Sequence, residues 1–231
     1  MRYEIKHRPS YALLEVELMP GEAIEAEAGA MTYMTPSIRV QTRIRESSFV
    51  KALGLKLLGG QSFFVNEYTA VEKSGRLGLV SAPLGDIAQL RVTPENGYII
   101  QRSAYVASSP TVDLDIKWQG FTRGIFGQGL FMIRCSGSGD LFINTFGALE
   151  KFTLSPGEEL VVDNFHLAAF STTCQYDVMK FDNLKSTLLG GEGLVVRVRG
   201  PGELYVQTKN PAEFAEWLWS LLEPYVRSRA R

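Results

Sequence analysis

The residues best suited to chemistry are an aspartate, an asparagine and a histidine that lie within four positions of one another. Asp163, Asn164 and His166 form the most polar cluster of an otherwise apolar stretch, and His166 is one of only two histidines in the chain. A carboxylate beside an imidazole can transfer protons or hold a metal. We therefore treat these three as candidate ligand-binding residues, although a hydrogen-bonded structural histidine is the favoured interpretation of His166.

Other residues that could support catalysis or metal binding do not have the required spacing. A zinc site needs three or four ligands, and no recognised ligand spacing relates His7, His166, Cys135 and Cys174. Asp113 and Asp115 alternate with apolar residues, which indicates the solvated face of a strand. The chain contains no nucleophile elbow, P-loop or zinc-protease motif. We predict no catalytic residue, no metal and no cofactor, and we lean against an enzyme.

The polar cluster must be positioned by a β unit that recurs three times. Its first landmark is a proline after an apolar strand, at Pro20, Pro94 and Pro156, which are 74 and 62 residues apart (94 minus 20, 156 minus 94). A second landmark is a glycine-rich segment that contains Gly60, Gly127 and Gly191. Both landmarks indicate three units, at about 1–84, 85–146 and 147–209.

Within the units, period-two alternation of apolar and charged residues predicts half-buried strands, as at Leu14, Val16 and Leu18. The Gly137–Gly139 and Gly200–Gly202 segments separate pairs of such strands and predict hairpins. One unit of about 65 residues is marginal as a separate core. No linker divides the copies, so residues 1–209 should form one all-β body of sandwich-like or double-stranded β-helix-like units.

Residues 210–231 are predicted to form a C-terminal helix and a basic tail. Asn210 is a suitable N-cap, and Pro224 should end or kink the helix. The polar stripe is narrow, and the helix has more apolar surface than packing on one core requires. Trp219 and Leu222 should therefore contribute to an oligomer interface, with enclosure by the β units as the alternative. The side chains expected to pack on the β body are Phe214, Trp217, Leu218 and Leu221.

Composition and charge indicate a folded protein with no strong electrostatic preference for a partner. The formal net charge is −1, which gives nucleic acid no support beyond a local basic run at Arg39, Arg43, Arg45, Lys51 and Lys56. No apolar segment is long enough to span a membrane, and the N-terminus does not resemble a signal peptide. Two cysteines suit buried thiols in a reducing compartment, so we expect a cytoplasmic protein.

Several motifs in order along the chain resemble the altered-inheritance-of-mitochondria-24 family, a domain of unknown function. The resemblance runs from about Tyr3 to Lys209. It is carried by the segments 28–31, 60–64 with 68–70, 137–147, 156–158, 162–167, 193–195 and 200–208. It implies a fold like that of the tryptophan RNA-binding attenuation protein, with triplicated β units around a pseudo-threefold axis. None of that protein's ligand residues can be matched here.

These features lead to a protein of unknown biochemical function, expected to be a non-catalytic oligomeric scaffold or binding module. A trimer is expected by analogy with the pseudo-threefold units. One alternative is a small-molecule or nucleic-acid binder, suggested by the implied fold alone. The other is an unrecognised enzyme that uses Asp163 and His166. The identity of any small-molecule ligand stays open.

Overall fold

The computed structural model describes residues 1–45, 63–81, 84–118, 131–180 and 194–229, and almost every regular element in these ranges is a β-strand. Alternation of apolar and polar residues directs one face of many strands towards an apolar interior. The alternation predicted at Leu14, Val16 and Leu18 is confirmed, because all three side chains are fully buried while Glu17 is exposed. The predicted mostly-β class is therefore correct. The glycine landmarks Gly60, Gly127 and Gly191 lie outside the described residues.

Nineteen strands precede one C-terminal helix within the described ranges. Those of the first third are β1 (Arg2–Lys6), β2 (Leu13–Leu18), β3 (Ala23–Glu27), β4 (Met31–Met34), β5 (Ile38–Arg45), β6 (Phe63–Ala70) and β7 (Gly75–Leu79). Those of the middle third are β8 (Ile87–Val92), β9 (Tyr98–Gln101), β10 (Tyr105–Ser108), β11 (Val112–Trp118), β12 (Phe131–Gly137) and β13 (Gly139–Asn144). The last third contains β14 (Leu149–Leu154), β15 (Glu159–Asp163), β16 (Leu167–Ser171), β17 (Gln175–Lys180), β18 (Leu194–Arg199) and β19 (Gly202–Gln207).

Hydrogen bonding groups these strands into four antiparallel sheets. Two sheets have six strands, in the orders β5-β6-β3-β10-β13-β8 and β11-β12-β9-β16-β19-β14. The other two have the orders β1-β2-β7-β4 and β15-β18-β17. The large sheets join distant parts of the chain, because β3 pairs with β10 and β9 pairs with β16. Among the described residues, β4 and β15 each lie at the outer edge of a sheet.

The predicted hairpins at the two glycine-rich segments are wrong. Strands β12 and β13 are separated by one residue, yet they belong to different six-stranded sheets, and β18 and β19 are also in different sheets. These segments are corners at which the chain passes from one sheet to the next. A Cβ added at Gly139 would overlap Ser109, and one added at Gly202 would overlap Cys174, so both corners are too crowded for a side chain.

The apolar interior consists of three clusters, which follow the thirds of the chain. Phe142 is fully buried in the first cluster, although most of that cluster comes from β2 to β7. Tyr105 is fully buried in the second and Phe170 in the third. Both cysteines are free and buried, Cys135 in the second cluster and Cys174 in the third. The three clusters are large enough to stabilise the sheets without disulfides.

The C-terminal helix α1 (Pro211–Arg229) has the predicted N-cap. The Oδ1 atom of Asn210 accepts hydrogen bonds from the amides of Ala212 (2.8 Å) and Glu213 (3.3 Å). Pro224 does not end the helix, which continues to Arg229. A proline inside a helix removes one amide donor, and on an exposed helix water can bind the carbonyl that loses its partner. No helix among the described residues has both the length and the apolar character that crossing a bilayer requires.

Candidate functional site

Asp163 and His166 lie in the tight turn that connects β15 to β16. One carboxylate oxygen of Asp163 accepts a hydrogen bond from the amide of Phe165 (2.8 Å), and the backbone carbonyl of Asp163 accepts one from the amide of His166 (3.0 Å). Such side-chain to backbone bonds are typical of aspartate at a turn. The carboxylate therefore stabilises the local backbone conformation.

The His166 ring is held by the backbone of the neighbouring strand β19. Its Nδ1 atom lies 2.8 Å from the carbonyl oxygen of Gln207, and the amide of Gln207 donates to the carbonyl of His166 (2.8 Å). Because a carbonyl oxygen can only accept, Nδ1 must carry the proton in this contact. The ring is half-buried. The structure thus gives His166 the hydrogen-bonded environment of a structural histidine.

Gln207 is a positioning residue that sequence reasoning missed. Its Nε2 atom donates to the carbonyl of Phe165 (2.6 Å), and its Oε1 atom accepts from the amide of Phe146 (2.9 Å). One buried carboxamide therefore ties the β15–β16 turn to the segment that precedes β14. No motif marks this glutamine, because its partners are backbone groups distant in sequence.

Asn164 is the most buried of the three candidate residues. Its amide donates to the carbonyl of Leu194 (3.0 Å), and its carbonyl accepts from the side chain of Gln101. Its Oδ1 atom is buried without a hydrogen-bond partner among the described residues. The structure therefore brings Asp163, Asn164 and His166 into one turn. In the described part of the chain, the Asp163 and His166 side chains bond to backbone groups and not to each other.

This arrangement predicts that Asp163 contributes through its hydrogen bond and not through its charge. Asp163→Asn keeps an acceptor for the Phe165 amide, whereas Asp163→Ala is expected to lower the free energy of unfolding by about 1 kcal/mol. Urea denaturation measures both variants, with Asp113→Ala on the exposed face of β11 as a control. Equal losses in the Asn and Ala variants would contradict the prediction and favour a role for the charge.

A second polar cluster is centred on Glu203 of β19. Its Oε2 atom accepts hydrogen bonds from the hydroxyls of Tyr98 (2.9 Å) and Tyr205 (2.7 Å), and its Oε1 atom lies 2.5 Å from Nζ of Lys151. Burial would raise the pKa of Glu203, but the hydrogen bonds from Lys151 and the tyrosines lower it below its usual value. Burial, followed by the bond to Glu203, raises the pKa of Tyr98 to about 12. The two tyrosines therefore stay neutral donors to a carboxylate.

An open cleft of about 640 Å³ lies beside this cluster. Its lining includes Tyr3, Arg8, Gln89, Lys151 and Tyr205, so two cations and two aromatic rings face the same space. Each cation is already paired within the chain, Arg8 with Asp86 (2.8 Å) and Lys151 with Glu203. These pairs neutralise most of the attraction that the cleft could exert on an anion. Residues on β1, β8 and β14 form this cleft, a juxtaposition that no sequence motif indicates.

The predicted interface residues Trp219 and Leu222 lie on the solvent-exposed surface of α1. Their exposed fractions are 54% and 46%. The expectation that Trp217, Leu218 and Leu221 would pack on the β body is wrong, because each is also between 40% and 57% exposed. The same exposure overturns enclosure of the helix by the β units. The reason is the direction of the helix, which contacts the body at its first turn, where the rings of Phe214 and Phe146 are 5.2 Å apart.

The remaining polar groups of the described residues form no further site. Within that part of the chain, no group of three His, Cys, Asp or Glu side chains is arranged to hold a metal. Of the basic run, Arg43 on β5 is paired with Glu67 (2.9 Å) and lies 3.6 Å from Glu25, and the positions of Lys51 and Lys56 are outside the described residues. The described part of the run is therefore partly neutralised.

Comparison with known proteins identifies the family. The model of mitochondrial biogenesis AIM24 matches residues 3–209, which is most of the chain. The chain belongs to the AIM24 family. An uncharacterized protein of Streptococcus pyogenes serotype M6 is 28% identical over 222 residues, which cover 93% of this chain and 88% of that protein. A crystal structure of a Streptococcus pyogenes protein is also 28% identical, with a TM-score of 0.78, and the match covers 97% of this chain and 99% of that one.

The family match ends at residue 209, so helix α1 lies beyond it. The resemblance stated from the sequence motifs is confirmed over the same range. The relative is itself uncharacterized, and the match therefore assigns an architecture to this AIM24 protein without assigning an activity.

Proposed function

We propose that this AIM24 protein is a non-catalytic oligomeric scaffold or binding module that acts in a reducing, cytoplasm-like compartment. The observation that carries the proposal is helix α1, whose large apolar side chains are exposed to solvent in the single chain. Exposed apolar patches of this kind mark interaction surfaces in soluble proteins. The buried free thiols of Cys135 and Cys174 suit such a compartment.

The β body of this scaffold is proposed to be three copies of one six-stranded unit. The units are β2–β7, β8–β13 and β14–β19, close to the expected boundaries 1–84, 85–146 and 147–209. Strands in corresponding positions pair alike: β2 with β7, β8 with β13 and β14 with β19. The register shifts at Met31/Tyr33, Tyr105/Ala107 and Leu167/Ala169 are also 74 and 62 residues apart. Each unit contributes two groups of three strands, as a double-stranded β-helix does.

Helix α1 supports oligomerisation through the spacing of its apolar residues. One row, which is here called the body row, has the spacing four, three, four and begins with the residue that contacts Phe146. The body row consists of Phe214, Leu218, Leu221 and Tyr225. A second row has the same spacing one residue later and is called the outer row. The outer row consists of Ala215, Trp219, Leu222 and Val226. This spacing is the heptad pattern of helices that pack side by side.

Two such rows on one helix provide contacts for two partners. The body row begins against the β body at Phe146, whereas the outer row exposes Trp219 and Leu222 about half to solvent. Large aromatic side chains at the centre of an interface contribute much of its binding energy. We therefore propose a homo-oligomer, with a trimer expected from the three units, whose interface includes Trp219 and Leu222.

A charge in the outer row is expected to weaken this assembly. Trp219→Glu buries a carboxylate in the proposed interface, so the oligomer should dissociate at a concentration at least ten times higher than the wild type does. Light scattering measures the mass against the 25.7 kDa of one chain. Trp217→Glu is the matched control, because Trp217 is 57% exposed and lies outside both rows. A monomeric wild type, or a Trp219→Glu oligomer with unchanged dissociation, would overturn the proposal.

Asp163 and His166 are proposed to hold the β15–β16 turn in this scaffold, with Asn164 at its buried centre. The bonds of Asp163 to Phe165 and of His166 to Gln207 support that role. An enzyme that uses the pair has no supporting contact between the two side chains in the described structure. Ligand binding at this turn is tested by the Asp163 variants described above.

A further inference from the structure

We propose that two copies of this chain join head to tail through strands β15 and β4, which complete a six-stranded sheet across the boundary between the copies. The inference rests on the proposed triplicated scaffold and names a contact surface in its β body. The partner is a second copy of the same chain, and the contact is distinct from helix α1.

The two complete sheets provide the rule for this contact. Each consists of three strands from one unit and three strands from the next unit along the chain. In the first, β5-β6-β3 is followed by β10-β13-β8, and in the second, β11-β12-β9 is followed by β16-β19-β14. The boundary between units is the β3–β10 pair in one sheet and the β9–β16 pair in the other. Units therefore associate by the same strand pairing twice within one chain.

The two small sheets are the two halves of a third such sheet. The sheet β15-β18-β17 comes from the last unit and corresponds to β3-β6-β5 and β9-β12-β11. The sheet β1-β2-β7-β4 comes from the first unit and corresponds to the other half, with β1 added at its far side. By the rule of the complete sheets, β15 pairs with β4. Within the described residues of one chain these two strands are unpaired edges, so the pairing is available to a second copy.

The repeat also gives the register of the pairing. Ala26 lies opposite Ala107 and Glu25 opposite Ser108 at one boundary, and Ile100 lies opposite Ala169 and Ile99 opposite Phe170 at the other. The second set follows from the first by the proline spacings of 74 residues on one strand and 62 on the other. The same shift places Val162 opposite Tyr33 of the second copy, and Val161 opposite Met34.

Burial at corresponding positions distinguishes the filled boundaries from the open one. Ala26, Ala107, Ile100 and Ala169 are all fully buried where two units meet. At the chain's two ends the corresponding strands carry exposed apolar side chains. Every residue of β4 is exposed, including Tyr33 and Met34 at 38% each, and Val161 of β15 is 47% exposed.

The hydrogen-bonding groups of β15 have the direction that the contact requires. The amide of Asn164 donates to Leu194 on β18, and backbone groups alternate in direction along a strand. The amides of Val162 and Leu160 therefore point towards β18, and those of Val161 and Asp163 point to the outer edge. Edge strands that remain unpaired in solution usually carry lysine, proline or a bulge that blocks pairing. Neither β4 nor β15 contains a lysine or a proline.

A head-to-tail contact uses different surfaces on the two partners, so every copy keeps one free β4 and one free β15 until a ring closes. This property makes the contact testable by mixing variants. Val161→Lys blocks only the β15 side, and Met34→Lys blocks only the β4 side, because both place a charge in the new sheet. Each variant is expected to weaken self-association about 100-fold.

The experiment measures mass by light scattering for the wild type, both variants and their equimolar mixture. The inference expects each variant to have a lower mass than the wild type. The mixture should form complexes larger than either variant, because an intact β15 on one meets an intact β4 on the other. A chain with both Val161→Lys and Met34→Glu should recover association, since the two positions face each other. Val40→Lys is the control, because Val40 is 38% exposed on β5, which also lies at the edge of a sheet.

A wild-type oligomer with unchanged mass in Val161→Lys and Met34→Lys would overturn this inference and leave the oligomeric scaffold standing. Equal losses in Val40→Lys and Val161→Lys would also overturn it, because the effect would then be general to exposed strands. A monomeric wild type would overturn both the inference and the proposed function. Circular dichroism of each variant confirms that the β body is folded before its mass is interpreted.

Discussion

Replacing Glu203 with alanine is expected to lower the free energy of unfolding by about 3 kcal/mol. The carboxylate is the shared acceptor for the hydroxyls of Tyr98 and Tyr205, which are 4% and 5% exposed. A buried donor left without an acceptor costs about 1–3 kcal/mol, and this substitution affects two of them. Urea denaturation with a fluorescence or circular dichroism readout measures the loss.

Glu159→Ala is the matched control for this prediction. Glu159 pairs with Arg199 and Arg197 on the exposed side of β15, where an ion pair contributes about 0–1 kcal/mol. Glu203→Gln keeps one acceptor oxygen and should lie between the wild type and the alanine variant. A loss for Glu203→Ala no greater than that for Glu159→Ala would show that the tyrosines find other partners.

The same cluster predicts how stability changes with pH. The folded-state pKa of Glu203 is lowered, so its contribution is present above the ordinary value of 4.5 and is lost as the pH falls through the folded pKa. The pKa of Tyr98 is raised from 10.0 to about 12, so its contribution is present below pH 10 and is lost as the pH rises towards 12. Glu203→Gln should therefore weaken the acid dependence, and Tyr98→Phe the alkaline dependence.

Replacing Gly85 with alanine is expected to destabilise the protein by about 3 kcal/mol. Gly85 forms an isolated parallel bridge with Gly147, and a Cβ at this position would overlap the carbonyl oxygens of Thr145 and Gly147. These are backbone atoms, which cannot rotate away as a side chain can. Relief would separate the segments joined by the bonds from the Thr145 amide to Asp86 and from the Asp86 amide to Gly147 (2.9 and 3.1 Å). Overpacking of this kind costs about 1–3 kcal/mol.

Gly157→Ala separates this overlap from the general cost of replacing a glycine. Gly157 has a φ of +83°, but a Cβ there would have no atom within 4 Å. Alanine at such a position costs about 1–2 kcal/mol through backbone strain alone. Thermal and urea unfolding of the two variants are compared directly. A Gly85→Ala loss equal to or below that of Gly157→Ala would show that the bridge region can move apart cheaply.

Sequence patterns predicted the local structure of this chain well where the deciding forces are local. Alternation at Leu14, Val16 and Leu18 identified a half-buried strand, and the carboxamide of Asn210 identified the helix start, because both signals depend on neighbours a few residues away. Pro224 was misread as a helix end, since an exposed helix tolerates one missing bond.

The predicted hairpins failed for a different reason. A glycine-rich connection of one or two residues is compatible with a hairpin and with a corner between sheets, and the choice depends on which strands from elsewhere occupy the neighbouring positions. At Gly139 those neighbours include Ser109, and at Gly202 they include Cys174. The sequence around the turn contains no information about these distant partners.

The candidate site shows the same division. The sequence by itself determined that Asp163, Asn164 and His166 are close together, because they occupy adjacent positions in one turn. Only the tertiary structure decided that His166 binds the backbone of Gln207 and that Glu203 collects Tyr98 and Tyr205, since backbone acceptors and long-range partners leave no pattern in a single chain. The sequence also determined that α1 has more apolar surface than one core requires. The sheet order decided that β4 and β15 are open edges, because hydrogen-bond pairing between strands is a property of the assembled fold.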